Sequence, residues 1–217
     1  MIPETSVDEP SNVVSVIVAA RESTEKIRGL RNACAANIET FATVHMHALR
    51  NASVIDVTPL TNCAVHVSIV GRDLANFELC ILDSWTDYEL TPTLIAHFYL
   101  ATYEFMNRWP QILFERPTKK CLRLVRSDGF DAEVRALNSD FQVVRDNWWP
   151  KLHAVRTNYA AHYDRDSSKL VETIAQINFE SFLALAKPVN NLLAITAQTL
   201  TLISDEMLQM LKKLAKS

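Results

Sequence analysis

Glycine is nearly missing from this chain: three residues in 217, where average usage would supply about fifteen. Turn-rich β architectures depend on glycine at positive φ, so sandwiches, propellers and barrels are poor expectations. Cysteine is sparse as well. Cys34, Cys63, Cys80 and Cys121 form no CxxC pair, which argues against a zinc site and for a reducing, cytoplasmic compartment. Basic charge is not in excess. The formal net charge is −3, so bulk attraction to nucleic acid is excluded and any phosphate recognition must be local. Long uncharged apolar runs are lacking too. The most apolar stretch, 184–203, is interrupted by Lys187, Asn190 and Asn191, and no membrane span is expected. The opening MIPETSVDEPSN is acidic and prolyl, unlike the basic start of a signal peptide.

What remains is apolar residues at helical spacing. Hydrophobic residues make up 48% of the chain and charged ones 22%, enough for a core and too apolar for disorder. Strict period-two alternation is nearly absent. After a polar leader (1–12), the pattern predicts helices over 13–30, loosened near Gly29, and over 35–52. Thr58-Pro59 and Thr91-Pro92 are helix-start signatures, a capping hydroxyl followed by proline at the first helical position. The helices they open run to Asp83 and to Trp109, where Pro110 interrupts. Residues 115–129 read as a long connection ending in Ser127-Asp128-Gly129. Asp131 is the expected cap of the next helix, which Pro150 kinks or restarts. Further helices are expected from Ser168, from Phe179 and, as a short separate piece, from Ser204. The expectation is therefore one all-α domain, an antiparallel helical bundle at 61–203. An additional N-terminal helical hairpin (13–60) precedes it and a short C-terminal helix (204–217) follows.

The segment that carries chemistry is Arg156-Thr157-Asn158-Tyr159-Ala160-Ala161-His162. On an α-helix its Arg and His stand about 120° apart around the axis and about 9 Å apart along it. The stripe Trp148, Leu152, Val155, Tyr159 lies between them, so both polar groups sit at the margin of a packing face. If the packing partner is a symmetry mate, two Arg and two His meet in one cleft. Such a cleft suits metal-independent RNA cleavage, in which the 2′-hydroxyl is the internal nucleophile. Histidine can move the proton. Arginine can stabilise the phosphate charge, and Thr157 or Asn158 can orient either group.

An Arg, a polar residue close behind it and a His late in a helix of an all-α chain resembles the HEPN (higher eukaryotes and prokaryotes nucleotide-binding) superfamily. Within it the text is similar to the abortive-infection U-type (AbiU-like) branch. Three segments carry that likeness: the acidic, cap-rich turn His162-Tyr163-Asp164-Arg165-Asp166-Ser167, the apolar helix end Leu79-Cys80-Ile81-Leu82-Asp83, and Ile177-Asn178-Phe179-Glu180-Ser181-Phe182. The resemblance implies a HEPN-like bundle and a homodimeric ribonuclease without cofactor or metal, acting as a toxin or antiviral-defence effector. Arg156 and His162 would be its catalytic pair, assisted by Asn158. An antitoxin or defence partner protein is also implied. Two places depart from the family pattern. Thr157 directly follows the Arg, and Asp164 stands where some toxin members carry a modifiable tyrosine, with Tyr163 one residue early.

Lys119, Lys120, Arg123 and Arg126 fall in a run, from Arg116, that contains no acid. They are the candidate contacts to an RNA backbone, set against the alternative of a solvated connection. His45 and His47 point about 200° apart on a helix and cannot share a metal ion, so no metal site is expected. His153 shares the face of Arg156 and is either a second proton carrier or a packing histidine. Trp148-Trp149 reads as core or interface sooner than as a base-stacking pair. The rival to a nuclease is a non-catalytic dimeric binding or regulatory module of the same fold. A weaker third reading is a nucleotide-sensing helical domain.

Overall fold

The structure, a computed structural model, describes residues 10–50, 56–84, 90–160, 172 and 177–214, with backbone alone at 10–21, 108–114, 159–160 and 214. Among them there is no strand. The chain is an all-α helical bundle of α1 (Pro10–Arg50), α2 (Thr58–Asp83), α3 (Leu90–Phe114), α4 (Arg116–Val125), α5 (Asp131–Val155), a π-helical turn (Arg156–Ala160) and α6 (Phe179–Leu214). No helix is long and apolar enough to cross a membrane among the described residues.

The bundle is organised by α1 and α2, which pack against each other along the length of α2. Ile27, Leu30, Cys34, Asn37, Phe41, Val44 and Ala48 recur at alternating three- and four-residue steps, and all are buried or half-buried. Leu60, Ala64, Val67, Gly71, Leu74, Glu78 and Ile81 do the same on α2, and all seven are buried. This is the spacing of two helices meeting nearly antiparallel along a continuous seam. α6 lies against α1 and α5, and α3 bridges α2 and α5. Phe98 of α3 meets Phe182 of α6 edge-on at 5.1 Å. Beside them the fully buried Tyr99 donates its hydroxyl hydrogen to the Ser181 carbonyl at 3.1 Å.

Several expected boundaries move. The two helices expected over 13–30 and 35–52 are one 41-residue helix. Gly29 faces open space and costs α1 only about 1 kcal/mol, less than the seam returns. Thr58 is not a side-chain cap. It is the first helical residue, and the Asp56 carboxylate accepts its N–H at 3.0 Å. Asp131 is not a cap either, because Phe130 holds that place in the left-handed region at φ 58°, with its N–H bonded to the Asp128 carboxylate at 3.0 Å. The expected long connection at 115–129 contains the ten-residue helix α4. α3 continues past Pro110, α5 passes through Pro150, and α6 runs unbroken through Ser204 to Leu214. The helix expected from Ser168 lies outside the described residues.

Candidate functional site

α5 delivers Arg156 to its C-terminal end, where the α-helix gives way to the π turn Arg156–Ala160. Leu152 and Val155 are buried and fix the face of α5 that meets α3. Arg156 therefore emerges at the margin of that face, with 41% of its side chain exposed, and its Nε lies 3.5 Å from Oε1 of Glu104 on α3. At that length and exposure the pair is loose, worth at most about 1 kcal/mol. Thr157 Oγ1 and His153 Nδ1 stand 3.4 Å apart. The His153 ring meets Tyr103 edge-on at 6.2 Å, and Tyr103 stacks on Trp149 at 5.0 Å. Trp149 also lines a cleft of about 560 Å³ with Asn107, Arg145 and Asp146. Also from α5, Lys151 places its ammonium 5.7 Å from the Tyr99 ring of α3 and 5.8 Å from Trp148. Burial lowers its pKa.

Arg156, Thr157, Asn158 and His153 are thus on one helix end, joined by Tyr103 and Glu104 from α3. Asn158 is half-buried. His162 and the side chain of Tyr159 lie outside the described residues, as do Tyr163 and Asp164. The angular separation expected for Arg156 and His162 assumed an unbroken α-helix. Residues 156–160 are π-helical, so that value does not apply. π turns are uncommon and recur at functional sites.

No family model, curated protein or solved structure matches the chain.

The basic run becomes a surface. α4 buries Thr118, Cys121 and Leu122 and exposes Arg116, Lys119, Lys120 and Arg123, four cations at helical spacing on one face. Arg126 is separate from them. It donates to both oxygens of Glu133 at 2.9 and 2.8 Å and to Asp128 at 2.7 Å, and lies over the Phe130 ring at 4.0 Å. These bonds hold both carboxyls below their ordinary pKa and commit Arg126 to the turn before α5. α4 packs on α2, α3 and α6, whereas the π turn packs on α5 and α3. Their shared neighbour is α3, along which Glu104 lies about 15 Å from the helix end at Phe114.

His45 bonds Thr61 Oγ1 at 3.1 Å, and no cluster of three metal-ligating side chains occurs among the described residues. Sequence reasoning missed Tyr103 and Glu104, because their relation to Arg156 exists only through packing of α3 on α5. It also missed Glu78, 4% exposed, whose two oxygens accept from Asn190 Nδ2 at 2.9 and 2.7 Å. Burial pushes Glu78 up to about 7 against the smaller opposite effect of Asn190. A signal for it existed: Glu78 occupies a seam position, four residues after Leu74 and three before Ile81.

Proposed function

We propose that this chain is a metal-independent endoribonuclease of the HEPN type, acting as a cytoplasmic homodimer and serving as a toxin or antiviral-defence effector. The observation that carries the reading is Arg156: a half-exposed guanidinium on a π turn, loosely tethered to Glu104 and followed closely by His162 in the sequence. In this reading Arg156 takes the non-bridging phosphate oxygens and stabilises the charge that builds as the 2′-hydroxyl attacks. His162 moves the proton to or from the reacting oxygen, and Asn158 orients one of them. Trp149, which lines the neighbouring cleft, offers a ring to an unpaired base. Arg116, Lys119, Lys120 and Arg123 hold the strand further along. The resemblance of the Arg156–His162 segment to the AbiU-like branch supports the same reading, and a cognate antitoxin or defence protein would be its partner.

Purified protein should cut single-stranded RNA in the presence of a chelator. His162→Ala should abolish cutting while helicity and melting temperature are kept. Cutting that survives the substitution removes the proposal.

A second reading, a non-catalytic dimeric binding or regulatory module of this fold, draws on the stacked Tyr103–Trp149 pair beside the cleft and on the countercharge that Glu104 already supplies to Arg156. It predicts RNA left intact at every protein concentration.

A further inference from the structure

Away from Arg156, three helices converge. They meet at Gly71 of α2, where a Cβ would stand 3.0 Å from Cys34 Sγ on α1 and 3.3 Å from a Leu193 methyl on α6. A clamp on one side of this point ties α1 to α6. Asn37 Nδ2 donates to the Ala197 carbonyl at 3.1 Å, and Thr201 Oγ1 donates to Asn37 Oδ1 at 3.0 Å. Toward the N-terminal half of α1, where Ile27 still packs on Ala75 and Leu79 of α2, a groove of about 800 Å³ opens between α1 and α6, within the size range of small-molecule sites. Much of its wall is apolar, with Ile27, Leu30, Leu183 and Ala186 among the lining side chains. Among the described residues its one buried ionisable group is Glu78. Its exposed rim carries Glu22 and Lys26 from α1 and Lys187 from α6.

We propose that this groove binds a small zwitterion, with a primary ammonium seated on the Glu78 carboxylate and an anionic group held at the rim by Lys26 and Lys187. A carboxylate has about four acceptor sites, and the single Asn190 amide reaches both oxygens while leaving acceptor capacity on each. Buried charge is stable when paired and fully hydrogen-bonded, and an ammonium supplies both requirements. The apolar walls suit a short methylene body between the two ends. Among the described residues, two lysines against one glutamate at the rim disfavour a plain polyamine. An acid as the innermost group disfavours a plain carboxylate or phosphate.

Burial leaves Glu78 titrating at about 7, with Glu22, Lys26 and Lys187 the charged groups among the described residues that line the groove around it from α1 and α6. An ammonium binds the ionised form, so affinity climbs with pH up to that value and levels off above it.

The test uses the intact protein with ε-aminocaproate, n-hexylamine and n-hexanoate as probes, measured by calorimetry and thermal shift at about pH 6 and about pH 8. ε-Aminocaproate should bind best, with affinity about tenfold higher at the upper pH, the change in ionised fraction across a pKa near 7. Glu78→Gln should remove most of that affinity and all of its pH dependence. The double variant Lys26→Ala/Lys187→Ala alters exposed positions only and should erase the preference over n-hexylamine; this arm stands even where Glu78→Gln fails to fold. Binding of none of the three probes, equal binding of n-hexanoate, or full affinity in Glu78→Gln overturns the proposal. None of these residues belongs to the Arg156 site, so the ribonuclease reading stands or falls separately.

Discussion

Replacing Glu78 by glutamine should make the protein more stable at pH 8 and not at pH 4. Folding buries the Glu78 carboxyl among α1, α2 and α6 and moves it from an ordinary 4.5 to about 7. The folded state therefore holds this proton more tightly than the unfolded chain does. The stability that Glu78 contributes is complete below about 4.5, declines as pH rises, and is gone above about 7. A shift of this size corresponds to about 3 kcal/mol. Glutamine has nearly the same shape and can still accept from Asn190 Nδ2, but it has no charge to desolvate. The gap between variant and wild type should thus open by about 3 kcal/mol between pH 4 and pH 8. In urea, with a slope of about 2–3 kcal/mol/M, the midpoints should separate by about 1 M. Asn190→Ala, which removes the bond that favours the ionised form, should extend the decline to higher pH. Parallel pH profiles for wild type and Glu78→Gln would refute the argument, because they would mean that Glu78 is solvated or already paired with a cation.

Four further variants test other parts of the molecule. Gly29→Ala adds a Cβ in open space and should raise stability by about 1 kcal/mol; Gly71→Ala meets Cys34 and Leu193 at sub-contact distance and should lower it by about 1–2 kcal/mol despite the same gain in propensity, both read from urea midpoints. Tyr99→Phe removes the hydroxyl that bonds Ser181 and should cost about 1 kcal/mol by the same assay. Reversing Arg116, Lys120 and Arg123 to glutamate, all exposed on α4, should leave the melting temperature nearly unchanged. It should weaken single-stranded RNA binding and reduce the slope of log affinity against log salt by about 2.

Helix starts marked by local chemistry are legible in the amino-acid order alone. Thr58-Pro59 opens α2, and Asp83 closes it. Continuity is harder to read, because Gly29, Pro110, Pro150 and Ser204 each look like a break in a window of a few residues. Each sits in a helix whose buried side is held by neighbours distant in sequence, such as Asn37 on Ala197. Local penalties of about 1–3 kcal/mol are outweighed by such packing. α4 is hidden for a different reason. Its exposed face is so basic that the composition resembles a connection, and only the burial of Thr118, Cys121 and Leu122 explains why it coils. At the candidate site, spacing along one helix places Arg156 at the edge of a packing face, because that edge is set by Leu152 and Val155 on the same helix. Glu104 and Tyr103 are not legible, since nothing local to α3 points toward Arg156.

The pairing of Arg156 with Glu104 bears directly on how the proposed nuclease would work. An arginine with no counterion at the end of a helix would be free to sample many rotamers, and ordering it on a phosphate would cost up to about 2 kcal/mol. Glu104 restricts that sampling, yet the pair is exposed on both sides and 3.5 Å long, so breaking it costs at most about 1 kcal/mol. A hydrogen-bonded ion pair with a phosphate is worth more, about 1.5–3 kcal/mol, and more again once water is excluded. The exchange therefore favours the phosphate, and the carboxylate it displaces stays in solvent, where it needs no new partner. Glu104→Gln should then leave the RNA-bound state almost unaffected while loosening Arg156 in the free protein. The same arithmetic explains why a lysine at 156 would serve poorly, since a single ammonium cannot reproduce the guanidinium's forked grip on two phosphate oxygens.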